Sequence, residues 1–160
     1  MPLTPEPVSP SSDLRDHSFS VTPSELELDE PTTGKVWGVI METGYAEALF
    51  TLIVFADGCT SIYFGNGGGI IGAGEHAPVR AAAAELLKAA NQNLSKLTFI
   101  QAPTLPQVGE TKFYFRTHDG LYGASAPENS LGEGEHELSP LFYSAHDVIA
   151  AVRENTPEDE

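Results

Sequence analysis

Residues 112–125 read KFYFRTHDGLYGAS and contain a complete β-hairpin pattern. In the first half of this stretch two phenylalanines alternate with Lys112, Tyr114 and Arg116, which places the phenylalanines on one face of a strand and these three side chains on the other. The Asp-Gly pair in the middle is a turn signal, because both residues tolerate positive φ. The stretch therefore predicts an antiparallel hairpin with one face directed towards a core.

The same kinds of pattern recur on either side of this hairpin. Apolar runs rich in β-branched and aromatic residues predict strands, and apolar residues recurring at three- and four-residue intervals predict helices. Predicted strands cover residues 36–41, 48–55, 60–64 and 97–100, and predicted helices extend from about 79 to 90 and from about 141 to 152. Pro78 and Pro140 suit the first turns of these helices.

This order of elements predicts an α+β domain of the form βββα–βββα. We expect an antiparallel sheet of about six strands, with both helices covering one face. At the level of topology, residues 35–154 resemble the roadblock, longin and profilin group of small domains. The resemblance implies a fold only, because unrelated functions share such folds.

A short phrase, Gly-x-Gly-Glu-His, occurs twice, ending in Glu75-His76 and in Glu135-His136. Each copy follows a hairpin pattern and precedes a helical one, so the phrase suggests an internal duplication. If the halves are related by a pseudo-twofold axis, the two Glu-His pairs would be candidate ligand-binding residues. Two imidazoles and two carboxylates also suit a divalent metal ion, although acids ahead of a helix can simply complement its dipole. No metal site is predicted outright.

The first copy ends a glycine-rich loop that contains G-x-G-x-x-G at Gly67, Gly69 and Gly72. Such glycines can let backbone N–H groups approach a phosphate, so they are candidate ligand contacts. The preceding strand belongs to a hairpin, however, and no Lys-Ser/Thr pair follows, so neither nucleotide-binding signature is complete. Ile70 and Ile71 within this loop are expected to fill the core or to contact a partner.

Charge and composition divide the chain into three parts. The formal net charge is −15, concentrated in the termini and in the loop of residues 126–137. We expect a disordered, acidic, proline-rich tail over 1–34, a single domain over 35–154 and an acidic tail over 155–160. A nearly neutral body without a basic stripe argues against nucleic-acid binding. The single cysteine and the lack of a long apolar run indicate a cytoplasmic protein with no membrane partner.

No enzyme signature is present, since no serine lies in a G-x-S-x-G nucleophile elbow. We therefore expect no catalytic residues, no cofactor, and a non-catalytic protein–protein interaction or regulatory module, with a homodimer as one form. Its candidate interface residues are Ile70, Ile71, Lys112, Tyr114 and Arg116. The alternatives are a small-ligand or metal-binding domain that uses the two Gly-x-Gly-Glu-His loops, and a small hydrolase or isomerase with Glu/His acid–base chemistry.

Overall fold

A computed structural model describes most of the chain. The described residues are 17–22, 36–46, 48–64, 69–70, 76–117 and 120–155. They cover most of the predicted domain and a short part of the predicted N-terminal tail. The rest of that tail, and residues 156–160, lie outside the described residues, so their predicted disorder stays a prediction.

The described strands form one antiparallel sheet. Its strands are β1 (Val36–Gly44), β2 (Leu49–Phe55), β3 (Thr60–Phe64), β4 (Gly69–Ile70), β5 (Thr98–Ile100), β6 (Glu110–Thr117) and β7 (Gly120–Pro127). Their order across the sheet is β4-β3-β2-β1-β6-β7-β5, and every paired neighbour is antiparallel. The hairpin predicted from residues 112–125 is β6–β7, with Tyr114 paired to Gly123.

Helix α1 (Ala77–Asn93) lies between β4 and β5, and helices α2 (Glu128–Gly132) and α3 (Ser139–Asn155) follow β7. Helices α1 and α3 contact each other and pack on one face of the sheet, called the helix face below. Their apolar stripes contribute buried side chains, among them Leu86 of α1 and Val148 of α3, which meet Phe113 and Phe115 of β6. The α+β class with helices on one face is confirmed. Within the described residues, no helix is long and apolar enough to cross a bilayer.

The two halves of the chain differ in strand order. In the first half β1, β2 and β3 are neighbours in chain order, as in a meander. In the second half β5 lies at the sheet edge beside β7, while β6 pairs with β1 in the centre. Residues 101–109, called the crossover loop below, must therefore return along the sheet to start β6. The predicted duplication gains no support from this arrangement.

The other side of the sheet, called the second face below, is contacted by two short segments that are not strands of the sheet. The crossover loop contacts it through Thr104, which is hydrogen-bonded to Tyr114. Residues 17–22, called the arm below, contain a helical turn over 17–20 and lie against the second face at Arg116. This part of the predicted tail is thus packed on the domain. A second apolar cluster, distinct from that of the helix face, forms there.

Candidate functional site

The glycine-rich loop can be placed only in part. Gly67, Ile71, Gly72 and Glu75 lie outside the described residues. Gly69 and Ile70 form the short edge strand β4, which pairs with Tyr63 and Ile62 of β3. The prediction that this loop contacts a ligand or a partner therefore stays a prediction.

The histidines of the two Gly-x-Gly-Glu-His phrases have local structural roles. His76 is the N-cap residue of α1 and makes no side-chain capping hydrogen bond. His136 stabilises the turn before α3, because its Nδ1 accepts the amide N–H of Leu138 at 3.0 Å and its own amide donates to Ser139 Oγ at 3.2 Å. Glu135 is exposed beside it. Among the residues that the structure describes, no group of three His, Cys, Asp or Glu residues could hold a metal ion.

One cluster of titratable side chains lies where β1 ends near α2 and α3. The Tyr45 hydroxyl donates to Glu128 Oε2 at 3.0 Å, and burial together with this carboxylate raises the pKa of Tyr45 to about 12. His146 is half-buried with its ring centroid 4.3 Å from that of Phe142, and burial lowers its pKa. A tyrosine that stays protonated to such high pH is a hydrogen-bond donor and not a base. The cluster therefore offers little support for acid–base catalysis.

The second face carries a cluster of aromatic side chains and one arginine. Trp37 of β1 stacks on Phe55 of β2, with ring centroids 5.8 Å apart, and the Arg116 guanidinium carbon lies 4.5 Å from the Trp37 ring centroid. Gly38 makes this approach possible, since a Cβ there would lie 2.9 Å from the Phe55 ring and 3.1 Å from Arg116 Cβ. A guanidinium over an indole is a favourable cation–π contact. Trp37, Phe55, Tyr114 and Arg116 together are called the arm site below.

Arg116 holds the arm by its backbone. Its Nη1 donates to the carbonyl oxygen of Ser18 at 2.6 Å, and its Nη2 donates to the carbonyl oxygen of Val21 at 2.7 Å. Ser18 lies within the helical turn of residues 17–20, and Val21 directly follows this turn. Burial lowers the pKa of Arg116 from its usual value, yet an arginine stays protonated at neutral pH. The contact thus joins a cation to two oriented dipoles.

Two apolar side chains of the arm complete the contact. Val21 is only 2% exposed and belongs to the same apolar cluster as Trp37 and Tyr114. Phe19 packs edge-on against Tyr114, with ring centroids 5.1 Å apart. The site therefore contacts three features of the arm, namely an aromatic residue, an aliphatic residue two positions later, and two backbone carbonyls. Short linear peptides are commonly recognised by such a combination of backbone contacts and side-chain pockets.

Tyr114 and Lys112 also anchor the crossover loop. The Tyr114 hydroxyl accepts the amide N–H of Thr104 at 3.0 Å and donates to the carbonyl oxygen of the same residue. Lys112 donates to Thr104 Oγ1. A cleft of about 290 Å³ opens between this loop and strands β6 and β7. The candidate interface residues Lys112, Tyr114 and Arg116 do share one face, and each contacts a segment of its own chain.

Sequence reasoning missed most of the arm site. Trp37 was recognised only as part of a strand, and Phe19 and Val21 lay within a segment predicted to be disordered. A usable signal did exist. Phe19 and Val21 are apolar residues in a polar tail, and a hydrophobic pair in such a setting is typical of a docking segment. Their target could not be found from the sequence, because Trp37 and Arg116 are far apart along the chain.

Comparison of the chain with known protein families, with curated proteins and with solved structures finds no match. The resemblance to roadblock, longin and profilin domains is therefore not confirmed. Any functional conclusion must come from the arrangement of the residues themselves.

Proposed function

We propose that this protein is a non-catalytic interaction module that binds short peptide segments at the arm site, which its own residues 17–22 occupy in the free chain. The observation that carries the proposal is the pair of hydrogen bonds from Arg116 to the carbonyls of Ser18 and Val21. Backbone carbonyls belong to any peptide, so this contact can be made by a segment of another protein. The side-chain requirement, an aromatic residue and then an aliphatic one, supplies the specificity.

The free energy gained when the arm docks is close to the free energy that its ordering costs, so the arm can leave its site. Burying Val21 and part of Phe19 contributes about 3–4 kcal/mol, and two hydrogen bonds from a charged donor contribute about 3–6 kcal/mol. Ordering the six residues 17–22 costs about 6–12 kcal/mol. Gain and cost are of the same size, so the docked and undocked states have similar free energies. The crossover loop differs, because both of its ends continue into strands.

A partner segment competes with the arm for the same contacts. The arm belongs to the same chain as its site, which gives it an effective concentration of order mM. A partner must therefore bind the empty site tightly or make contacts that the arm lacks. The cleft beside Tyr114 offers room for such additional contacts. The arm acts in this scheme as an intramolecular competitor that limits access to the site.

The test uses the full chain and a fluorescein-labelled peptide with the sequence of residues 14–24. The double variant Phe19→Ser, Val21→Ser undocks the arm, because it removes the two apolar side chains that pack beside Trp37 and Tyr114 and adds no charge near Arg116. We expect the peptide to bind this undocked variant about two- to sixfold more tightly than it binds the unmodified chain, because an arm whose docking free energy is at most about 1 kcal/mol competes only to that extent. Fluorescence anisotropy measures both affinities, and circular dichroism checks that the variant is folded.

A matched pair of arginine substitutions identifies the site. Arg116→Gln, added to the undocked variant, should weaken peptide binding about tenfold or more, since it removes the charged donor. Arg153→Gln removes an equal charge from the exposed side of α3 and should leave binding unchanged. Equal binding to the docked and undocked chains would contradict the proposal. Equal losses in the two arginine variants would contradict it as well.

A second copy of this chain carries the same arm, so exchange of arms between two copies would produce a homodimer through the same face. Sedimentation velocity over a range of concentrations tests this form. Dimerisation should be lost in the Arg116→Gln variant and kept in Arg153→Gln.

A cytoplasmic location belongs to the same proposal. Its support is that Cys59 is an exposed free thiol, which suits a reducing compartment.

A further inference from the structure

The arm site has more hydrogen-bond donors than the arm can satisfy. Trp37 is 4% exposed, and its Nε1 is buried without a hydrogen-bond acceptor among the described residues. Buried polar groups that lack a partner are rare in proteins, and each one costs about 1–3 kcal/mol. Arg116 lies over the same ring. Among the described residues, Trp37 Nε1 is thus a buried donor without an acceptor, in the same site where Arg116 Nη1 and Nη2 donate to the arm.

Among the described residues, the groups that Arg116 contacts in this site are uncharged. Arg116 is half-buried, and both oxygens that it contacts in the arm are neutral carbonyls. In the described part of the chain no carboxylate forms an ion pair with this guanidinium. An anionic partner strongly stabilises a desolvated cation. The two oxygens of a carboxylate also fit the geometry of the planar guanidinium. The missing partner is therefore an acceptor group that carries a negative charge.

We infer that the preferred ligand of the arm site is the C-terminus of another protein, with an aliphatic final residue and an aromatic residue two positions before it. The position of the arm supplies the reason. The Val21 carbonyl oxygen already lies 2.7 Å from Arg116 Nη2, so a peptide that ended at this residue would place a carboxylate on the guanidinium. The second carboxylate oxygen would add a charged acceptor at this guanidinium, which itself lies over the Trp37 ring. The arm imitates such a terminus with a neutral carbonyl.

This inference rests on the proposed peptide-binding function and adds the chemical class of the ligand. A partner can displace a tethered competitor in this way, because a terminal carboxylate supplies the negative charge that the carbonyls of the arm lack. Capture of terminal carboxylates is a known mode of peptide recognition. Two kinds of partner would therefore differ in affinity. An internal segment with the same side chains would bind only as well as the arm does, and a C-terminal segment would bind more tightly.

The experiment compares two peptides with the sequence of residues 16–21, Asp-His-Ser-Phe-Ser-Val, labelled with fluorescein at the N-terminus. One ends in a free carboxylate and the other in an amide. Both are titrated into the undocked full-length variant. We expect the free acid to bind about tenfold or more tightly than the amide, and we expect this ratio to disappear in the Arg116→Gln background. The Trp37→Phe background should reduce the ratio in part, because it removes the N–H and keeps an aromatic ring.

The net charge of the protein makes the comparison stringent. The chain carries a formal charge of −15, so a non-specific electrostatic effect would favour the amide. Arg153→Gln serves again as the charge-matched control and should keep the preference for the acid. Equal affinities for acid and amide would overturn the inference and leave the proposed peptide-binding function standing. Failure of both peptides to bind the undocked variant would overturn the two together.

Discussion

The two faces of the sheet are covered in different ways. On the helix face, two 17-residue helices pack against the strands and bury long apolar stripes. On the second face, the cover includes the crossover loop and the six-residue arm, and its contacts depend on a few side chains such as Tyr114 and Arg116. The first cover is part of the folding core. The second includes the arm, which belongs neither to the sheet nor to these two helices.

The largest effect is expected on the helix face, where Phe115→Ala should destabilise the protein by about 3–5 kcal/mol. Phe115 is fully buried within the cluster formed by α1, α3 and the sheet, so its truncation leaves a cavity that the neighbouring elements cannot fill. Urea unfolding followed by circular dichroism measures the loss. A change below about 1 kcal/mol would contradict the assignment of this face as the folding core.

The crossover loop should behave as part of the folded core. At Gly44, the last residue of β1, a Cβ would lie 2.4 Å from the backbone carbonyl oxygen of Gln107. Gly44→Ala must therefore push the loop away and should cost about 1–3 kcal/mol. The control is Gly132→Ala in α2, where the nearest atom to a new Cβ is 3.9 Å away. Equal stability of the two variants would show that the loop is not held against β1.

The same substitution, valine to alanine, can be made on both faces to compare how much each face contributes to the free energy of unfolding. Val148 and Val21 are both almost completely buried, on the helix face and in the arm respectively. Val148→Ala should cost about 2 kcal/mol. Val21→Ala should cost less than about 1 kcal/mol, because the arm can undock and the cost is then limited to its small docking free energy. Fluorescence of Trp37, the single tryptophan, should change in the Val21 variant alone. Equal losses of stability would contradict a detachable arm.

The smallest effect concerns pH and the helix face. Burial lowers the pKa of His146 below its ordinary value of 6.5, while Glu128 and Asp147 oppose this shift in part. The unfolded chain therefore binds a proton more readily, so the contribution of this histidine is present above pH 6.5 and is lost as the pH falls below that value. Between about pH 7.5 and about pH 5, the urea midpoint should fall more for the unmodified chain than for His146→Gln. Parallel curves would contradict this. His17→Gln, in the exposed part of the arm, is the control.

The sequence predicted the parts of the fold that depend on regular periodicity. The apolar stripes of α1 and α3, the β6–β7 hairpin and the alternation that separates Phe113 from Tyr114 are all found in the structure. Strand order was harder to predict, because the place of β5 at the sheet edge depends on the path of the crossover loop. The ring of His146 packs on that of Phe142, four residues earlier on α3, and the spacing of apolar residues in the sequence does not indicate this contact.

The candidate site was predicted only in part for a similar reason. Lys112, Tyr114 and Arg116 share one face, as the alternation indicated, but their contacts are made with residues 18–21 and with Thr104. Contacts between an irregular segment and a distant strand leave no periodic pattern in a single sequence. The two Gly-x-Gly-Glu-His phrases were more conspicuous. Where the structure describes them, they form helix-entry turns.

The most direct test of the central claim, that a peptide replaces the arm at the arm site, is a nuclear Overhauser measurement on the isotope-labelled full chain. The rings of Phe19 and Tyr114 have centroids 5.1 Å apart, so cross-peaks between their protons report the docked arm. The account predicts that these cross-peaks are present in the free chain. It also predicts that they disappear when the unlabelled peptide of residues 14–24 saturates the protein, with new cross-peaks from the peptide to Tyr114. Cross-peaks from Phe19 that persist at saturation would contradict it.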